Sequence, residues 1–387
     1  MFSDRSNFLR NASLQGHSHI PALVAISAAS WLEDPEGLTA VCEDDRFLIA
    51  HRPGYAPGDV DGPLDYYLAP SWSAGKAGRI LWERLCLPGV ARRWGAEVLH
   101  GPGYLLPSGW KGPSVVTIYD ILAITHPEWC SRANALHYRL ALPRTVRQAH
   151  AILVPAEAVR EELIRHLGAD PRRVHVAHLG IPEAMRPPDP QATNRVRDRH
   201  RLAHPYILWV GNIEPKKNVA GLVRAFERVA GGLPHRLILA GRAAWKSEPI
   251  LRAIETSPVC DRITRLGYVP AEDLPALYAG ADLLVHWSLY EGAGLTPIEA
   301  MACGTPAIVS DAGALPELAG QVAPVVPLGD PAQLADAMTS LLADRDRLAQ
   351  LREAGMEWAR QFTWARHARQ ALGIYREAIK LAAETAT

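Results

Sequence analysis

The sequence predicts an α/β protein: two Rossmann-like, doubly wound domains of parallel sheet facing a cleft. Three observations carry this. The chain has 387 residues, more than one hydrophobic core usually spans. Short apolar runs alternate with amphipathic stretches, the rhythm of βαβ units. That rhythm breaks once, over 180–205, where Pro182, Pro187, Pro188 and Pro190 precede a charged run, and then resumes. The break is the expected interdomain linker.

In the first half, 46–51, 64–69, 97–100, 114–119, 151–155 and 174–178 are the expected strands, and 77–94, 133–148 and 156–167 the expected helices. Residues 20–31 are expected to form a further helix, with Gly16 in the loop before it. Central strands of a parallel sheet are covered on both faces and are near-continuously apolar. Residues 1–15 supply no such run, because Asp4, Arg5, Ser6, Asn7, Arg10 and Asn11 interrupt it. The expectation is therefore a start lying further upstream, or a remodelled first half in which part of 2–9 forms an irregular strand. In the second half, 206–210, 237–240, 263–266, 283–286 and 307–310 are strands, and 331–342, 345–360 and 364–387 are helices. The helix 218–230 places Val219, Leu222, Val223, Phe226 and Val229 on one face.

Composition narrows the class. The chain is 48% hydrophobic and 21% charged, which excludes a disordered protein. Lys plus Arg number 41 and Asp plus Glu 41, so no basic excess supports a nucleic-acid partner. Basic residues are locally dense at 143–173 and 194–201, compatible with weak contact to an anionic membrane. Cys42, Cys86, Cys130, Cys260 and Cys303 are odd in number and widely spaced, which fits reduced thiols in the cytoplasm. The first residues lack the apolar core of a signal peptide, and no run of about 18 apolar residues is present. The expected location is cytoplasmic, with peripheral contact on the inner face of the membrane.

The most specific string is EGAGLTPIEAMACGTP, from Glu291 to Pro306, directly after the strand 283–286. Gly292 and Gly294 let a ligand approach the backbone. Thr296 is expected as N-cap, Pro297 at the first helical position and Glu299 at the third, a capping box. The helix start then presents free N–H groups and a positive dipole end, which suits a diphosphate. Taken singly, Glu299 could serve only as a cap, Glu291 as a solvated acid and the glycines as an ordinary turn. A second string, GNIEPKKN, joins a strand to a helix at Gly211–Asn218. Lys216 and Lys217 lie where the dipole disfavours cations, a misfit expected where an anion binds, although either could be an ordinary surface charge. In the first half, His100, Gly101, Gly103, Tyr119 and Asp120 stand where strands open into loops at the cleft. Asp120 is a candidate base or sugar ligand, and could equally cap a turn. His100 could equally be a packed strand-end histidine, and His126 reads as loop structure. Asp59-Val60-Asp61 lies in a Pro/Gly-rich loop and makes no convincing metal motif.

The string around Glu291 resembles the signature of the family 4 glycosyltransferases, which are retaining enzymes of GT-B fold. The resemblance implies that Glu291 contacts the transferred sugar, that Glu299 binds the donor ribose, and that amides around Gly294, Leu295 and Thr296 meet sugar hydroxyls and phosphate. Gly211–Asn218 resembles the family's phosphate segment, which implies that Lys217 neutralises the diphosphate; Asn212 replaces a frequent arginine. Tyr119-Asp120 stands where members often carry His-Asp, and Pro155 where they often carry Ser. The implied architecture is an acceptor domain over 1–190, a nucleotide-sugar domain over 191–365, and a C-terminal helix, about 366–387, returning to the first. The implied function moves a hexose such as mannose from a nucleotide-diphosphate sugar to a glycan or lipid-linked acceptor in cell-surface polysaccharide synthesis. No cofactor and no metal are expected. The alternatives are a sugar-nucleotide epimerase or phosphorylase of the same fold, and a degenerate, non-catalytic partner subunit, which Asn212, Tyr119 and the weak N-terminus favour. A dehydrogenase is disfavoured, since no G-x-G-x-x-G follows an early strand.

Overall fold

A computed structural model describes residues 24–28, 47–51, 64–202 and 205–386. The expectations placed on 1–16, on Cys42 and on Asp59–Asp61 lie outside the described residues. The chain divides into two compact units. One runs to Pro182 and resumes at Thr363; the other is Glu183–Phe362.

The sheet of the first unit holds β1 (Val24–Ala28), β2 (Phe47–His51), β3 (Leu64–Leu68), β4 (Val98–Gly101), β5 (Ser114–Thr117), β6 (Ala151–Val154) and β7 (Val174–Val176), in the order β3-β2-β1-β4-β5-β6-β7. Every pairing is parallel. β1 corrects the sequence reading. Within 20–31 the chain forms a strand at 24–28, paired on both sides, where a helix was expected. A short apolar run has no period that separates a buried strand from a buried helix. A central strand of the kind sought in 1–15 is present at 24–28. The single helix expected over 77–94 is two, Lys76–Leu85 and Leu87–Trp94. Pro88 explains the break: it has no N–H for the Arg84 carbonyl, and its ring crowds that carbonyl. The long helix Trp364–Ala386 lies against β4, β5 and β6. Thr363 caps it, its Oγ1 accepting from the Arg366 N–H at 3.2 Å.

The second unit holds β8 (Tyr206–Val210), β9 (Arg236–Ala240), β10 (Ile263–Gly267), β11 (Leu283–His286), β12 (Ala307–Ser310) and β13 (Val325–Val326), again all parallel, in the order β10-β9-β8-β11-β12-β13. The order reverses between β8 and β11, which makes their carboxyl ends the place where such sheets bind ligands. The helix Val219–Val229 buries all five apolar residues of its predicted face. The expected linker is not wholly irregular. Asp189 caps a helix at Pro190–Arg199, and an Arg199–Asp273 ion pair of 2.6 Å ties that helix into the second unit. Proline at the first helical position loses no hydrogen bond, so these prolines precede or begin the helix and do not break it.

Candidate functional site

The loops after β8 and β11 are stitched together. The Leu289 N–H donates to the Lys216 carbonyl at 2.7 Å, and Asn218 Nδ2 donates to the Trp287 carbonyl at 3.1 Å. Asn218 has φ +52°, a left-handed conformation that Asn tolerates. It sits between a short turn at Pro215–Lys217 and the helix Val219–Val229, so the lysines lie on that turn and not in the helix.

This stitching brings Lys217 and Glu291 together. Lys217 Nζ donates to Glu291 Oε1 at 2.6 Å, and His286 Nε2 donates to the same oxygen at 2.8 Å. The Glu291 side chain is 10% exposed and that of Lys217 13%. Burial alone would raise the Glu291 carboxyl. The Lys217 ammonium, the hydrogen bond from His286 and the nearby Lys216 reverse that and hold it well below the usual carboxylate range. Glu291 is therefore an ionised, anchored carboxylate at neutral pH. Its backbone is also pinned. The Ala314 N–H donates to the Glu291 carbonyl at 2.8 Å, and a Cβ on Gly313 would stand 2.3 Å from that oxygen.

The capping box does not form. The helix is Leu295–Ala302, and its N-cap is Gly294 at φ +48°, a conformation that suits glycine. Thr296 is the second helical residue and is buried, and Pro297 is the third. Proline there still loses no bond, since the first N–H groups have no intrahelical acceptor. Glu299 instead accepts from the Tyr278 hydroxyl at 2.8 Å. The helix start still gives Leu295 and Thr296 amides without intrahelical partners, beside Gly292 and Gly294. Gly211 and Asn212 follow β8, the strand paired with β11. A Cβ on Gly241, in the next loop, would come 1.6 Å from the Gly211 carbonyl oxygen, so these strand ends demand glycine. Lys216 lies 3.6 Å from Glu214.

The first unit places its predicted residues differently. His100 is 1% exposed and spends both ring nitrogens on the protein: Nε2 with Thr117 Oγ1 at 2.8 Å and Nδ1 with the Tyr375 hydroxyl at 2.9 Å. Burial, then the charge of His367, push its pKa down to about 3. His100 is thus a neutral, buried group packed under the C-terminal helix, the second of the two roles its sequence position allowed. Asp120 is engaged on both oxygens, Oδ1 accepting from the Leu122 N–H at 3.1 Å and Oδ2 from the Tyr104 hydroxyl at 2.9 Å. It opens the turn before the short helix Leu122–Thr125, and acting as a base would mean giving up those bonds. Tyr119 lies edge-on to Tyr104, ring centroids 5.9 Å apart. His126 stacks on Trp129 at 4.2 Å. Gly101 and Gly103 line a cavity of about 520 Å³, together with Tyr104, Arg79, Arg84 and Arg144.

Sequence reasoning missed His286, Tyr278 and Gly313. His286 had a signal, a polar residue closing the apolar strand Leu283–His286 directly before the string at Glu291. Tyr278 and Gly313 had none, since they reach the site only through the fold. Among the described residues no group of three or more His, Cys, Asp or Glu could hold a metal ion.

The fold of two such sheets is GT-B. Sucrose-phosphate synthase from Thermosynechococcus elongatus superposes with TM-score 0.74 at 20% identity, covering 92% of this chain and 98% of that one. HepE from Anabaena, in complex with UDP and glucose, superposes with TM-score 0.68 at 18% identity over 92% and 99%. Residues 44–184 match the model of Glycosyltransferase Family 4, and residues 204–344 that of Glycosyl transferases group 1. An O-antigen chain mannosyltransferase B from Escherichia coli is 30% identical over 282 residues, 72% of this chain and 74% of that protein. The chain belongs to glycosyltransferase family 4, and it is a glycosyltransferase.

Proposed function

We propose that the chain transfers a hexose, mannose or a close relative, from a nucleotide-diphosphate sugar to a glycan or lipid-linked acceptor, with retention and without a metal, in cell-surface polysaccharide synthesis. The observation that carries this is the Glu291 carboxylate, ionised and held by Lys217 and His286 at the carboxyl ends of β8 and β11. Negative charge grows on the nucleoside diphosphate as the glycosidic bond breaks. Lys217, with the amides of Leu295 and Thr296 and with Lys216 close by, is placed to stabilise it, the role a metal fills elsewhere. Glu291 acts on the reacting sugar, Glu299 holds the ribose, and Gly211, Asn212, Gly292 and Gly294 leave room for the donor. The mannosyltransferase name of the Escherichia coli relative and the UDP and glucose of the Anabaena structure support a hexose donor.

The acceptor belongs to the first unit in this reading, in the cavity bordered by Gly101, Gly103 and three arginines, which suits a phosphate-bearing acceptor. Tyr119 and Asp120 lie on the adjoining loop. The flanking helices Lys76–Leu85 and Arg132–Gln148 leave Leu81, Leu85, Leu136 and Leu140 exposed. The second also carries Arg132, Arg139, Arg144 and Arg147 with no acid, the composition of a weak peripheral contact with the anionic cytoplasmic face of a membrane. Among the described residues no helix is long and apolar enough to cross one.

The deciding experiment incubates the protein with a panel of nucleotide sugars, in manganese and in excess chelator, and follows donor cleavage and the anomer formed by NMR. The expected result is cleavage of one donor with retention, undiminished by chelator and strongly slowed in Glu291→Ala. Activity that manganese restores after chelation would remove the metal-free mechanism. An inverted product would remove retention.

A further inference from the structure

Resting on that reading, we infer that His286 is a positioning residue for Glu291, the fixed donor that holds the carboxylate when Lys217 engages the diphosphate. β11 runs Leu283, Leu284, Val285 and then His286, and the imidazole is buried as deeply as its apolar neighbours, at 1% exposed. Burying a polar ring in a parallel-sheet core is costly unless a hydrogen bond compensates. One does: Nε2 donates to Glu291 Oε1 at 2.8 Å. A carboxylate only accepts, so Nε2 carries the proton. Nδ1 is buried and has no partner among the described residues. An imidazolium would therefore seal away an unpaired N–H, whereas the neutral ring leaves only a lone pair there. Burial accordingly lowers the proton affinity of His286, against the pull of Glu291.

The two donors on Oε1 differ in freedom. Lys217 reaches it along a flexible side chain and is the cation assigned to the donor diphosphate. His286 is held by the strand, and the loop that follows it is fastened at Ser288, whose carbonyl accepts from Ser310 Oγ at 2.6 Å. Glu291 Oε2 accepts no hydrogen bond from the described residues. Thus His286 sets the rotation of the carboxylate and leaves Oε2 as its uncommitted oxygen. The charged or titratable groups acting on Glu291 are Lys217 and Lys216 from the loop after β8 and His286 from β11.

A buried histidine that merely satisfied itself on a nearby acid would affect folding only. The test compares His286→Leu, which keeps apolar bulk, with His286→Gln, whose amide can still donate, in steady-state donor cleavage. For His286→Leu we expect kcat to fall about ten- to a hundred-fold with donor KM nearly unchanged, the loss of one hydrogen bond to a charged group. The acid limb of kcat should move to higher pH, and His286→Gln should recover most of the rate. Wild-type kcat in His286→Leu, or no advantage of Gln over Leu, overturns the inference while leaving the transferase reading intact. Absence of turnover in the wild type with every donor tried sinks the transferase reading instead. The ¹⁵N NMR spectrum of the ring decides this inference in that case, and also if His286→Leu does not fold. We expect a neutral, Nε2-protonated ring whose resonances move in Glu291→Gln; an imidazolium, or resonances that stay in place, overturns it.

Discussion

Glu291 shares its Oε1 between Lys217 and His286, whereas Glu299 accepts from the Tyr278 hydroxyl. Removing each should have a different signature. Glu291→Ala is expected to lower kcat with little change in donor KM if, as proposed, the group acts on the reacting sugar. Glu299→Ala is expected to raise donor KM, and its stability cost comes from an unexpected quarter. No cap is lost, since Gly294 caps the helix. The fully buried Tyr278 hydroxyl instead loses its acceptor, at a cost of about 1–3 kcal/mol in urea unfolding. A Glu299→Ala variant with wild-type stability and KM would contradict both assignments. His100 supplies a pH prediction. Its pKa is about 3 in the fold against 6.5 as an ordinary imidazole. Between these values the unfolded chain binds the extra proton, so stability rises with pH across the window. The contribution is complete above about 6.5 and is lost as pH falls towards 3. Melting temperature measured from pH 7 to pH 4 should fall less steeply in His100→Gln than in wild type. His286, His150 and His175 are also lowered by burial and keep some of the slope. Equal slopes would show that His100 titrates normally.

Elements show where local sequence decides and where it does not. In the second unit Leu283–His286 and Ala307–Ser310 announce themselves as isolated apolar runs and lie where their composition places them, whereas the two-residue strand Val325–Val326 does not. Val24–Ala28 escapes because both of its edges are paired, which removes the alternation that marks a half-exposed strand. The capping box over Thr296–Glu299 is locally sound but loses to tertiary packing: Gly294 in the left-handed region starts the helix two residues before Thr296, and Glu299 is drawn to Tyr278. The candidate site was legible as far as Glu291 and Lys217, whose residue types are set by charge. It was not legible at His286 and Gly313, whose roles exist only once strand ends are side by side. Gly313 carries the prediction at this scale. Its φ is +56°, and a Cβ would press on the Glu291 carbonyl. Gly313→Ala should cost about 1–2 kcal/mol for the conformation alone. Relief of the contact displaces the Glu291 backbone, so kcat should fall as well. A variant that loses stability but keeps wild-type kcat would show that the backbone yields without moving the carboxylate.

At the scale of the whole chain, the order of folding units differs from the order of residues. The chain leaves the first unit at Pro182, builds the second, and returns at Thr363. The returning helix Trp364–Ala386 completes the core of the first unit. It buries Trp364, Leu372, Ile374 and Tyr375, and covers the polar ends of β4 and β5 by bonding His100 through Tyr375. His367, 0% exposed, donates from Nδ1 to the His178 carbonyl at 3.0 Å, and Gly180 lies so close that a Cβ would stand 2.2 Å from the Trp364 nitrogen. Burying each large side chain contributes about 1.5–3 kcal/mol, so four of them rival the total stability of a typical domain, about 5–15 kcal/mol. The core of the second unit is built from that unit's own residues, from Ile207 to Leu351. Truncation after Phe362 should therefore unfold one unit and spare the other. Wild-type protein with its donor bound and the truncated chain would be compared by hydrogen exchange. We expect amides of β4, β5 and β6 to exchange freely in the truncated chain while those of β8, β11 and β12 stay protected, and donor-induced protection around Lys217 and Glu291 to survive. Intact protection of β4–β6 after truncation would show that the helix only decorates the first unit. Loss of protection in both units would show that they fold as one.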